Sequence, residues 1–399
     1  MPANHLYIKS RGVSAHPFLG HGFRPFFLLG ALYSVIILLI WGGFFAGLGP
    51  PPTFMLDPVS WHAHEMIFGF TMAIVAGFLL TAVANWTGGK PVRQIHLVGL
   101  CVIWLAGRVV MNFDLGLSEI TIIVVEGAFI LTLALSLSFP LIKTWNKRNF
   151  VFLVLLSILF ACDMTFFFMQ VSTALYVAVM IIVTMISLIG GRIIPAFTVV
   201  AIHGRGEEAK QTPQEKLDVM AILSLALIIL ALIFIGQEGV ILAATAFIST
   251  IIHALRLRRY HTRRILGDPM VWILHVGYGW VIVGLLLLGA SALDFLPFSI
   301  ALHAFTAGAI GSMTLGMMCR VALAHTGRNL HATKLTILSF LLLQCAALMR
   351  VFGLVVAPNY TAEWLIGSAT LWALSFALYI LIYAPILWKP RPDGVSDGI

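Results

Sequence analysis

Charge is what this sequence has least of. Asp, Glu, Lys and Arg make up 10% of its 399 residues, and hydrophobic residues 60%; soluble domains carry roughly 25% charged residues. With a mean hydropathy of +1.01, this scarcity excludes a soluble globular domain and points to a polytopic helical membrane protein. Cysteine is equally sparse. Cys101, Cys162, Cys319 and Cys345 all fall in apolar runs and form no Cys-x-x-Cys. That excludes a disulfide framework and a thiolate zinc site and leaves them as small buried hydrophobes. The polar start has no small-residue cleavage site before the first apolar run near Phe26, so no cleaved leader is expected. The net charge of +8 does not indicate nucleic acid. The basic residues lie between apolar runs, where they set topology.

Twelve apolar runs are long enough to cross a bilayer, at about 26–47, 60–84, 95–113, 117–141, 149–170, 172–195, 217–236, 238–256, 271–292, 298–320, 333–356 and 362–387. Basic residues test the count. The N-terminal segment (Lys9, Arg11, Arg24), every even-numbered loop and the tail (Lys389, Arg391) hold 22 of the 24, and the odd-numbered loops hold none. By the positive-inside rule both termini are cytoplasmic. The expected fold is therefore all-α, one integral membrane domain over 1–399 with twelve transmembrane helices.

Two basic residues break the alternation. Arg108 and Arg350 lie near the outer ends of the third and eleventh runs, in LAGRVVMNFD and LMRVFGLVVAP. Either they snorkel to headgroups or they hold an anionic group near the outer face. The topology puts His62, His64 and His303 at that same depth, because the second and tenth runs both start outside. His64 precedes Arg108 by 44 residues and His303 precedes Arg350 by 47, which suggests a repeated helix pair, runs 2–3 and 10–11.

Positions i and i+2 of a helix point ~200° apart, so His62 and His64 serve different sites. A haem between two helices takes axial imidazoles from each, in a flat apolar slot. Gly69, Ala73, Ala76 and Gly77 on one run, and Ala304, Ala307, Gly308, Gly311 and Gly316 on the other, suit such a slot, or simply close helix packing. Haem propionates would match Arg108 and Arg350. His303 with His62 or His64, and His64 in preference, are the expected axial ligands. Glu65 could orient a histidine, ligate a metal, relay protons or face outer water. Glu126 and Asp163, deep in apolar runs, are candidate proton carriers. On the opposite side His21, His275 and His325 form a candidate inner metal cluster. Gly190, Gly191, Arg192 and Pro195 in ISLIGGRIIPAFT read as a helix break, a hinge or an ordinary helix end.

HPFLGHGFRPFFLLG, WHAHEMIFGF, GGRIIPAFT and LHAFTAGAIGSMTLGMMCRVALAHTGR resemble the NnrS family over essentially the whole chain. The resemblance implies a bacterial inner-membrane protein with haem, of b type, and copper, linked to nitric oxide metabolism and nitrosative-stress tolerance. Its partners are then nitric oxide or a related small molecule, an electron donor and the lipid bilayer, and its enzymatic form is an oxidoreductase acting on nitric oxide. HEMIFGFTMAIVAGFLLTAVANW looks more weakly like the haem-bearing second helix of haem-copper oxidases and nitric oxide reductases. His64 takes the ligand place there, and His303 sits where their tenth helix carries ligands. That family takes copper ligands from its sixth and seventh helices, and here runs six and seven contain no histidine. A twelve-helix transporter of a metal, haem or small metabolite is the alternative, distinguished by purifying without haem.

Overall fold

The computed structural model describes residues 16–394. Lys9 and Arg11, counted above toward the cytoplasmic N-terminus, lie outside the described residues. Among the described residues every regular element is helical. Twelve helices are long and apolar enough to cross a membrane. They are α1 (Phe23–Phe45), α2 (Pro58–Thr87), α3 (Gln94–Asn112), α4 (Glu119–Lys143), α5 (Lys147–Met169), α6 (Thr173–His203), α7 (Glu215–Phe234), α8 (Val240–Arg258), α9 (Pro269–Ala292), α10 (Phe298–Ala324), α11 (Lys334–Val356) and α12 (Pro358–Trp388).

Sequential helices pack side by side from α3 to α10, and α12 returns to lie along both α11 and α1. The most buried helices are α2 and α10, with 83% and 78% of their apolar windows enclosed, against 33% for α7. The helices that carry His62, His64 and His303 are therefore the centre of the bundle. The start of α2 is set by its own sequence. Asp57 accepts from the Val59 and Ser60 amides at 2.9 and 3.2 Å, and Pro58 fills the first helical position. These are the usual devices for satisfying amides at a helix start. They place His62 and His64 in the opening turns.

Three helices widen into π turns beside the residues of interest. These are Glu65–Thr71, directly after His64; Ala304–Ile310, directly after His303; and Met349–Gly353, which contains Arg350. Thr71 donates its hydroxyl to the Met66 carbonyl five residues back, a spacing that fits the widened turn. Such turns are frequent at functional sites.

Several expectations change. Gly190, Gly191 and Pro195 do not break α6, which runs unbroken from Thr173 to His203. A β-carbon on Gly191 would fall on the Arg256 guanidinium. The glycine thus lets Arg256 lie against the helix, where it donates to Ser187 O, Ser187 Oγ, the Tyr278 hydroxyl and Asp218. The longer α6 also carries a histidine after all, but His203 is engaged with the Ala209 backbone. Basic residues assigned to loops are partly structural: Arg24, Arg256 and Arg320 are buried. Arg24 donates to the carbonyls of Leu387 and Lys389 at 2.7 and 2.8 Å and so ties α1 to the end of α12. Cys345 is exposed, whereas the other three cysteines are buried. Most of the small residues pack helices rather than form a slot: side chains fill the space over Gly77 (Phe27), Gly308 (Trp280), Gly311 (Trp372) and Gly316 (Ile273).

Candidate functional site

His62 and His64 leave α2 in different directions and enter two separate polar sites at one end of the bundle.

The first site is a cavity of about 230 Å³ between α1, α2, α6, α10, α11 and α12. His62, His303 and Arg350 line it together; the walls include Trp41, Ile67, Phe70, Leu302, Ile310 and Trp372. The geometry therefore pairs His303 with His62, not with His64. Ser299 accepts a hydrogen bond from His303 Nδ1 at 2.6 Å through its backbone carbonyl. That bond fixes the proton on Nδ1 and leaves Nε2 as a free lone pair, the state in which imidazole ligates a metal. His62 stacks on Trp41 at 4.3 Å with the rings 9° from parallel. Its buried Nδ1 has no hydrogen-bond partner, and neither does Nη1 of Arg350. Buried polar groups in native structures are nearly always satisfied, so these two unpartnered nitrogens, on residues that line one cavity, call for a ligand that can bind an imidazole and carries an acidic group. A water takes ~30 Å³, so the space exceeds what one metal ion needs. Two imidazoles, one arginine and apolar walls are the donor set and lining that a haem would need.

The second site is a buried cluster on α1 to α5. His64 Nδ1 meets Glu65 Oε1 at 2.9 Å, and His64 Nε2 meets Asp163 Oδ1 at 3.1 Å, with Glu126 at 3.9 Å. Arg108 donates to Glu65 at 2.7 Å and to Glu126. Tyr33 donates to Glu65, and Asn112 Nδ2 donates to Glu65 at 3.2 Å. Two glycines make this packing feasible. A β-carbon on Gly69 would come within 2.7 Å of Arg108 Nη1, and one on Gly107 within 2.5 Å of Glu126 Oε2.

Charge decides what this cluster can be. Three carboxylates face one guanidinium, a net charge of −2 if all ionise, or −1 with an imidazolium. An uncompensated charge is not sustained in such a dry place. At least one proton or cation must complete the set. Two observations favour a cation. Glu126 Oε2 and Asp163 Oδ2 are buried without partners. Ligand atoms of His64, Glu126 and Asp163 lie within 4.8 Å of one another, the one such group among the described residues. Glu65, spent on His64 and Arg108, orients the imidazole rather than ligating.

Other expected groupings are not brought together. Arg108 lines no part of the cavity and serves Glu65 and Glu126, while Arg350 serves the cavity; each arginine stands by the histidine of its own helix pair. His275 is held between Thr198 at 2.8 Å and Thr262 at 2.9 Å. His21 and His325 each pack at a tilt against Phe23, with ring centroids 6.0 and 5.7 Å apart. The role of Asp163 and Glu126 as partners of His64 escaped sequence reading. Glu126 and Asp163 deep in their apolar runs, with Arg108 in a neighbouring one, were the available signal that these charges must be paired.

Residues 17–391 match the family model described as NnrS protein. No curated protein and no solved structure matches the chain, so the weaker oxidase likeness gains no support.

Proposed function

The chain belongs to the NnrS family, a family of multi-pass membrane proteins linked to the nitric oxide response, and we propose on that footing that it binds haem between α2 and α10 and handles nitric oxide there. The observation that carries this reading is the pair of unpartnered buried nitrogens, His62 Nδ1 and Arg350 Nη1, on residues that line one cavity together with His303. His62 and His303 would hold the haem iron and Arg350 a propionate. The haem would supply the redox and diatomic-binding chemistry.

The chain's own residues make the two faces unequal. Ser299 anchors His303. His62 has only its stack on Trp41, so it is the ligand free to swing away. The α2 face is where a small molecule would enter. Trp41, Phe70 and Trp372 exclude water from that face. Copper, in this reading, would lie at His64, Glu126 and Asp163. A set of one imidazole and two carboxylates suits a divalent ion better than a thiolate-seeking monovalent one. The same reading puts the protein in the bacterial inner membrane with both termini cytoplasmic and the two sites near the outer face.

Nitric oxide added to the reduced, purified protein should change its visible spectrum. A haem-loaded protein whose spectrum ignores nitric oxide would sink the proposal.

A further inference from the structure

Three cavities lie end to end between α2, α6 and α10. The first is the His62 cavity described above. A second, of about 80 Å³, shares Thr71 and Ile310 with it as walls. A third, of about 230 Å³ and lined by Asn85, Trp86, Arg192 and His325, shares Phe78, Ile189, Ile193 and Met317 with the second. On each helix the order is monotonic. Along α2 the walls move from residue 59 to 71, from 71 to 79 and from 78 to 86. Along α6 and α10 they advance in the same sense. The seam covers roughly 35 Å from His62 to Asn85 at ~1.5 Å per residue, about the thickness of a bilayer's apolar core.

The middle cavity differs in kind from the two chambers it joins. Thr71 and Thr314 are its only lining residues with a polar side-chain group, and both hydroxyls are spent on carbonyls of their own helices, Met66 and Ile310. Water needs two to four polar partners to occupy a cavity, whereas apolar cavities stay dry and take xenon or benzene. An ion would have to shed its hydration with nothing to replace it. Two chambers that each carry a His and an Arg, with a dry neck between them, do not suit a path for protons or charged solutes.

We propose that this neck is a binding site and conduit for a small, uncharged, apolar diatomic molecule moving between the two chambers. It rests on the outer chamber being the reacting site only for the second readout below. Val75 is half-buried and lines the neck, so enlarging or shrinking it changes the space directly.

Xenon-pressurised crystals of the full chain should show a xenon peak between Val75, Ile189 and Met317. Val75→Phe should abolish it, and Val75→Ala should keep or raise its occupancy, which shows that the helices still pack. Ordered water in the neck, no xenon in the wild type, or a peak that survives Val75→Phe would overturn the site. Carbon monoxide rebinding after flash photolysis of the reduced protein should slow several-fold in Val75→Phe. An unchanged rate with xenon lost would overturn the conduit. Protein that purifies without haem but still takes xenon would count against the haem reading and leave the gas site standing.

Discussion

Arg108→Gln should cost the protein about 3–5 kcal/mol, the usual penalty for removing one partner of a buried ion pair. The reason is local. Among the described residues Arg108 is the one guanidinium paired with Glu65 and Glu126, which share His64 with Asp163, all buried. Without it three carboxylates share a space with one imidazole and no guanidinium. The loss should be non-additive with a change at its partner: Arg108→Gln combined with Glu126→Gln should recover part of the stability, because the second change removes a charge that the first left unpaired. Thermal inactivation in detergent and the yield of monodisperse protein would read both. Full additivity, or an Arg108→Gln variant as stable as wild type, would mean that the pairing is not what holds these helices.

His303→Ala and His62→Ala should each strip the haem, whereas His64→Ala should leave haem content near that of the wild type. Partners that merely orient a metal ligand are worth ~10–100-fold in affinity, so loss of a ligand itself should exceed that. The contrast between His62 and His64 carries the weight, since both sit on the same turns of α2 and either change could disturb the helix. His64→Ala should show its own phenotype, a loss of bound divalent metal and a stability defect shared with Asp163→Asn. Pyridine haemochrome assay and metal analysis of the three variants would decide. Haem lost with His64 and kept without His62 would reverse the assignment.

The number and order of helices were legible from two simple quantities, the length of apolar runs and the placement of basic residues. Boundaries slipped where one residue type has two uses. Gly190–Gly191 and Pro195 looked like a break, yet Gly191 is small so that Arg256 can lie against α6. Arg24, Arg256 and Arg320 obey the positive-inside count and are also buried hydrogen-bond donors to backbone or side-chain groups. The divergence of His62 and His64 followed from helical geometry alone. Which of them meets His303 did not, because periodicity fixes the angle between two side chains and not the rotation of the helix against its neighbours. The carboxylate cluster was hidden for a related reason. Its members come from α1 to α5, and no spacing within one helix reveals that Tyr33, His64, Arg108, Glu126 and Asp163 converge.

The most direct measurement is the absorption spectrum of the pure full-length protein, oxidised and reduced, read beside its iron content and beside the His62→Ala/His303→Ala double variant. Haem held between α2 and α10 requires stoichiometric iron and six-coordinate low-spin haem bands in the wild type, and neither in the double variant. Folded wild-type protein free of iron, or a double variant with an unchanged haem spectrum, would contradict it.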